Sequence, residues 1–272
     1  MTAPVLVITG AASGIGEAAV RLYAERGHRV VAVDVAEEGL ARLAGLDGVA
    51  TLVGDVAAEE TNTAAVRLAL DQFGRLDAAV LNAGIGGTGP LESPGAIDRL
   101  FAVNVRAVAL GIRAAVPALR AGGGGASVAT ASVSGLRDDP GTWDYNATKA
   151  AVINLVRANA IAPGLTETAI TTTQVANPDL TARIPVHRWA TPREQAEVIW
   201  FLTSPAASYV TGVTVPVDGG LSANGGILLP PSAAQDRDRG PSRMSRQGCT
   251  PRSRGILSPA SIANGSRFSA DG

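Results

Sequence analysis

Near the start of the chain stands Pro4-Val5-Leu6-Val7-Ile8-Thr9-Gly10-Ala11-Ala12-Ser13-Gly14-Ile15-Gly16. The apolar run at residues 4–8 has the length and composition of a buried strand, and a glycine-rich turn follows it at once. Residues 17–26 have helical character, Gly27 offers a C-terminal stop, and Arg29 to Asp34 is a second apolar run ending in an acid. Strand, glycine turn, helix and strand make a βαβ unit, whose right-handed crossover sets the two strands parallel. In such a turn, glycines let the backbone approach a pyrophosphate, and the helix that follows presents unpaired N–H groups with the positive end of its dipole. Asp34 lies 18 residues beyond Gly16. That spacing suits an acid that accepts hydrogen bonds from ribose hydroxyls and repels a 2′-phosphate, which favours NAD over NADP.

The alternation continues outward. Val49 to Val53 predicts a third strand ending at Gly54-Asp55-Val56, and residues 64–73 a helix. Leu76 to Leu81 predicts a fourth strand ending at Asn82-Ala83-Gly84, and residues 96–120 a long helix with Asn104 among apolar residues. Ala126 to Ser132 predicts a fifth strand, running into Ser132-Val133-Ser134-Gly135. Ligands of open parallel sheets gather outside the carboxyl ends of the strands, so Asp55 and Asn82 are placed at a cofactor cleft, with local turn chemistry as the alternative role. The expected class is α/β: a single-domain, Rossmann-like, doubly wound parallel sheet.

The totals agree with one large domain. At 272 residues, 46% hydrophobic and 17% charged, with 32 glycines, the chain has the composition of a compact globular protein. Net charge is −1, which gives no basis for a nucleic-acid or membrane surface. One cysteine and two histidines leave no disulfide framework and no metal cluster. The apolar stretch 107–119 is interrupted by Arg113 and too short to span a bilayer, and no secretory signal precedes the first strand, so a cytoplasmic location is expected.

Lys149 is the only lysine among 23 basic residues. An ammonium is compact and can shift its pKa on burial, whereas guanidinium stays charged. Tyr145 stands four residues earlier, on the same face of a helix.

Taken together, Thr9-Gly10 with Gly14-Ile15-Gly16, Asn82-Ala83-Gly84, Ser132 thirteen before Tyr145, Tyr145-x-x-x-Lys149, Pro163-Gly164 and Val217-Asp218-Gly219-Gly220 resemble the short-chain dehydrogenase/reductase family over about residues 4–226. The resemblance implies an NAD-dependent oxidoreductase that interconverts a secondary alcohol and a ketone. It implies Tyr145 as general acid/base, Lys149 lowering the phenol pKa and binding the nicotinamide ribose, Ser132 orienting the substrate oxygen with Ser134 as the alternative, and Asn104 holding a relay water. For the cofactor it implies Gly10, Ser13, Gly14, Ile15, Gly16, Asp34, Val35, Asp55, Val56, Asn82, Ala83, Gly84, Tyr145, Lys149, Pro163, Gly164 and Thr168. It also implies a homo-oligomer, dimer or tetramer, with the helix after Tyr145 in the subunit interface. Leu165 to Trp189 resembles the substrate lid, with Trp143, His187 and Trp189 as possible pocket walls.

One segment departs from the pattern. Only 14 positions separate Lys149 from Pro163, and a parallel crossover needs a dozen or more residues. A helix over residues 150–157 descends about 12 Å at 1.5 Å per residue. A strand over 158–162 must climb about 16 Å. Nothing is left for a turn, so the expectation is a shortened crossover: either a short helix with a strained return or a poorly formed sixth strand. That keeps a catalytically impaired NAD-binding protein as the alternative function. Domain boundaries are expected at 1–228 for the catalytic domain and 229–272 for a Pro/Ser/Arg-rich tail, read as disordered, with seven arginines against three aspartates from residue 235 onward. Binding of an anionic partner such as nucleic acid through that tail is the weakest of the three functional classes.

Overall fold

In the computed structural model, residues 3–86, 94–137, 139, 141–156, 159–172, 174–175 and 177–223 are described. All belong to one unit, Met1–Ser232, and the arginine-rich tail lies outside the described residues. Seven parallel strands form one sheet in the order β3-β2-β1-β4-β5-β6-β7. They are β1 (Val5–Thr9), β2 (Arg29–Asp34), β3 (Val49–Val53), β4 (Ala78–Leu81), β5 (Ala126–Thr130), β6 (Asn159–Pro163) and β7 (Thr214–Val217). The order reverses between β1 and β4, which opens a crevice at the carboxyl ends of those two strands.

Strand alternation sorts side chains into two cores. Val5, Val7, Val31 and Val33 point to one face, where they pack with Ala65 and Ala69 of α3 (Glu59–Phe73), Ala107, Val108, Ala115 and Leu119 of α5 (Ala107–Ala121), and Val152 of α6 (Trp143–Leu155). Leu6, Ile8, Val30 and Ala32 point to the other, against Ala19, Val20 and Leu22 of α1 (Gly14–Glu25) and Ala196, Ile199 and Leu202 of α8 (Pro192–Thr203). Three further helices are α2 (Glu37–Ala41), α4 (Pro94–Phe101) and α7 (Pro178–Thr181).

The long predicted helix forms, but with a defect that its sequence pattern did not announce. Between α4 and α5 the backbone makes a π-helical turn over Ala102–Arg106. The continuous run Gly95–Ala121 is 27 residues, long and apolar enough by length and composition to cross a membrane, unlike the shorter stretch read from hydropathy. Its apolar face is committed to the core on β4 and α3. Arg99, Arg106, Arg113 and Arg120 repeat every seven residues on its exposed side. The first three reach the segment after β3: Arg99 to Asp55 at 2.7 Å, Arg106 to the Ala57 carbonyl, and Arg113 to Glu59 at 3.4 Å.

The short crossover is resolved by trimming both of its arms. Helix α6 stops at Leu155, not Arg157, and β6 begins at Asn159, not Ala158, so neither arm is as long as the residue count assumed. β6 joins β5 at Val128↔Asn159, two residues above the start of β5, so the returning strand has less to climb. The expectation of a poorly formed sixth strand is corrected: all five residues of β6 are buried, and the strand is paired on both sides, with β5 and β7. Buried ladder bonds on two edges hold it despite the short approach. The expected strained return falls on residues 157–158, outside the described residues.

Candidate active site

The glycine turn after β1 fits close approach rather than mere flexibility. A Cβ on Gly16 would stand 2.0 Å from the Gly10 carbonyl, so the first turn of α1 can press onto the turn only as glycine. Ser13 occupies the N-cap position with its hydroxyl unused for capping, next to the free N–H groups of the helix start. Facing it across an open cleft of about 680 Å³, lined also by Gly14 and Glu17, is Thr168. Its Cγ2 would lie 3.2 Å from a Cβ on Gly14. Ile15 is the next residue of the same turn.

Asp34 ends β2 with both carboxylate oxygens turned to backbone. Oδ2 accepts from Ala12 N and Oδ1 from Ala36 N, each at 2.9 Å. Val35 beside it is 60% exposed. After β3, Asp55 accepts from Ala57 N and pairs with Arg99, and these bonds, the one from Arg99 foremost, hold its carboxyl below the usual range. Val56 is buried in the core behind it.

Asn82 is a fastening residue. Its Nδ2 donates to the carbonyls of Thr9 and Gly10, and its Oδ1 accepts from Thr130 Oγ1 at 3.1 Å. Thr9 Oγ1 in turn accepts from Asn82 N and Ala83 N. The ends of β1, β4 and β5 are thereby tied together, and the Asn82 amide is spent within the fold. Gly84, two residues on, gives the space that brings Asn104 Oδ1 and Lys149 Nζ together, each 3.3 Å from where a Cβ would be.

Helix α6 brings Tyr145 and Lys149 to the same end of the sheet. Lys149 is 3% exposed, its Nζ donates to the Thr130 carbonyl at 2.9 Å and stands 5.5 Å from the centroid of the Tyr145 ring. Burial brings its pKa down to about 8. Burial also pushes the Tyr145 phenol up; a hydrogen bond with the Ser132 hydroxyl opposes this, and the Asp139 carboxylate adds to the rise. The expected lowering of the phenol by Lys149 is therefore not the resting balance: the ammonium is itself desolvated and held by Thr130, and desolvation of the phenol outweighs the stabilisation of its anion.

Asn104 shows why the π-turn exists. Its side chain, 1% exposed, accepts from Ile85 N at 2.8 Å and donates to Ile85 O at 3.0 Å and Thr148 Oγ1 at 3.1 Å. The extra residue in the turn lets a helical side chain bond the loop after β4. Ser132 follows β5, 8% exposed, and caps a short 3-10 turn over Val133–Gly135. Pro163 ends β6. Gly164 next to it fits against Asp218, whose Cα would be 2.7 Å from a Cβ there.

The structure thus gathers Asn104, Ser132, Tyr145 and Lys149 at the carboxyl end of the sheet, beside the cradle formed by Gly10 to Gly16, Asp34, Gly84 and Thr168. Of the three candidate pocket walls, Trp189 is corrected: it is buried with Val133, Ile184 and Leu221, and its Nε1 donates to Thr181. Trp143 is 41% exposed at the start of α6. His187 sits in a turn with φ of 53°. Sequence reasoning missed Thr130 and Thr148, which hold Lys149 and Asn104, and Asp139, which bonds Ser134. Only Thr148, inside the Tyr145–Lys149 interval, carried a positional hint.

The chain matches the family model described as enoyl-(acyl carrier protein) reductase over residues 10–222. It is 35% identical over 249 residues to 2-(R)-hydroxypropyl-CoM dehydrogenase of Xanthobacter autotrophicus, covering 80% of this chain and 98% of that protein. It is 40% identical over 247 residues to cis-4-hydroxycyclohexanecarboxylate dehydrogenase of Sinomonas cyclohexanicum, covering 80% and 96%. Among solved structures, 3-ketoacyl-(acyl-carrier-protein) reductase from Brucella melitensis complexed with NADH superposes with a TM-score of 0.77 at 36% identity, covering 81% of this chain and 99% of that one.

Proposed function

This chain belongs to the short-chain dehydrogenase/reductase family of oxidoreductases, and from that premise we propose that it interconverts a small secondary alcohol and its ketone with NAD as cofactor. The observation that carries the reading is the convergence of Tyr145, Ser132, Asn104 and the buried Lys149 at one end of the sheet.

The residues present fit a nicotinamide dinucleotide. The Gly10–Gly16 turn and the uncapped Ser13 suit its pyrophosphate, and Asp34 suits a ribose that lacks a 2′-phosphate. When bound, the nicotinamide donates or accepts the hydride. Tyr145 moves the proton at its Oη to or from the substrate oxygen, and Ser132 orients that oxygen beside the phenol. Lys149, charged below about pH 8, favours the phenolate once the proton has left. Asn104 and Thr148 hold the loop of Ile85 and the body of α6 in a fixed relation.

A catalytically silent nucleotide-binding protein was the alternative suggested by the short crossover. The buried, doubly paired β6 and the Lys149–Thr130 bond favour the enzyme. Purified protein incubated with NAD or NADP and a panel of secondary alcohols tests both: turnover with NAD that is lost in Tyr145→Phe supports the enzyme, and NAD binding without turnover supports the silent protein. The same reading carries a cytoplasmic homo-oligomer; light scattering of the purified protein checks its assembly.

A further inference from the structure

The Ser132 hydroxyl does not stand alone beside Tyr145. Its proton points to Ser134 Oγ at 3.2 Å, Ser134 N donates back to Ser132 Oγ at 3.2 Å, and Ser134 Oγ donates to Asp139 Oδ2 at 2.5 Å. Ser132 and Ser134 are both buried. Asp139 is placed by the catalytic helix itself: its backbone carbonyl accepts from Thr142 Oγ1 and from Asn146 Nδ2, each at 3.0 Å. Arg137 Nη2 lies 3.4 Å from its Oδ1. The other charged groups here are on α6: Lys149, and Asp144, which accepts from Tyr145 N at 2.7 Å.

We propose that Asp139, acting through Ser134, fixes the direction of the single Ser132 proton and so decides whether Ser132 offers the phenol and the substrate oxygen a donor or a lone pair. A carboxylate only accepts, so Ser134 must donate to it. Ser134 then has lone pairs to receive the Ser132 proton, and that proton is turned away from the neutral phenol; Ser132 lowers the phenol pKa only when the proton leaves Ser134 for the phenolate. Ser134 N takes one of the two Ser132 lone pairs, so the other is left to receive an O–H from either Tyr145 or a bound alcohol. A ketone, which only accepts, requires the Ser132 proton to leave Ser134 and turn to it. Asp139 and Ser134 are positioning residues: they act through the Ser132 hydroxyl, and no bond is made or broken in setting the chain.

The catalytic meaning rests on the reading of Tyr145 as acid/base, but the chain can be tested without cofactor or substrate. The test is ultraviolet difference titration of the tyrosinate in the full-length protein, with Tyr145→Phe as the blank that isolates this phenol. Ser134→Ala leaves the Asp139 charge in place and frees the Ser132 proton to turn to the phenolate. The Tyr145 midpoint is expected to fall by about one pH unit, a donor to the charged form favouring it. Asp139→Asn is expected to lower it as well, and Ser134→Thr, which keeps the hydroxyl, to match the wild type. An unchanged midpoint in Ser134→Ala overturns the proposal, even if Asp139→Asn shifts, because the carboxylate would then act through space alone. A shift in Ser134→Thr as large as in Ser134→Ala overturns it too, since packing would explain both. Failure of the protein to turn over alcohols refutes the functional reading and leaves this result standing.

Discussion

Lys149 Nζ donates to the Thr130 carbonyl at 2.9 Å, and this bond ties the helix of the catalytic pair to the end of β5. It places the ammonium where it is fully desolvated, and Gly135 lets the chain after β5 lie directly on the helix backbone at that point. Several measurable consequences come from this contact and its neighbours.

Stability should rise on the alkaline side. Lys149 is brought from 10.5 to about 8 in the folded chain, so between those values the unfolded chain holds a proton that the folded one has lost. Unfolding free energy then increases with pH. The full rise is about 3 kcal/mol, at ~1.4 kcal/mol per pH unit. Urea unfolding from pH 7.5 to 10.5 checks it, and Lys149→Met should flatten this component of the curve.

Gly135→Ala should loosen the site. A Cβ there would stand 2.6 Å from the Lys149 carbonyl carbon, a contact with helix backbone that cannot rotate away. Overpacking of this kind costs about 1–3 kcal/mol. Because a small displacement of reacting groups can cost about a hundredfold in rate, kcat is expected to fall far more than NAD affinity. Urea melts with paired kinetics and calorimetry separate the two effects.

Asn104→Ala removes the partner of both Ile85 backbone groups and of Thr148 in one step. Buried groups left without partners cost about 1–3 kcal/mol each, so a loss of about 2–4 kcal/mol is expected in urea unfolding. Asn104→Asp keeps the bond from Ile85 N but sets a carboxylate against Ile85 O, and it should not restore stability.

Asp34→Ala should shift cofactor choice. It removes the carboxylate opposed to a 2′-phosphate and, with it, the acceptor of the Ala12 N–H in the glycine turn. NAD binding is expected to weaken by about tenfold, the size of one good charge-assisted hydrogen bond, while NADP binding strengthens. Calorimetric titration with each nucleotide measures the ratio, and an unchanged ratio would remove Asp34 from the discrimination.

Where local pattern and global packing ask the same thing of a residue, the linear chain is readable. The alternating apolar runs of β1 and β2 fill two separate cores, and the right-handed crossover between them makes the two strands parallel. The π-turn was not readable in this way. Ala102 to Arg106 has nothing in its composition that demands an extra residue per turn. The demand comes from Ile85, 19 positions earlier, whose backbone groups Asn104 must satisfy. The same holds for Asp139, whose bond to Ser134 depends on how the loop before α6 folds back.

By itself the sequence determined the parallel βαβ architecture, the glycine cradle, the acid at the end of β2 and the identity of the Tyr145–Lys149 pair, because each follows from spacing within one element or one crossover. Only the tertiary structure decided whether that pair is held. Counting residues between Lys149 and Pro163 shows a deficit of length, but length is measured against arms of assumed extent. In the fold both arms are shorter: α6 ends at Leu155 and β6 enters the sheet two residues above the start of β5. Ladder bonds to β5 and β7 and the Lys149–Thr130 bond, all long-range contacts, then hold the strand and the helix in place.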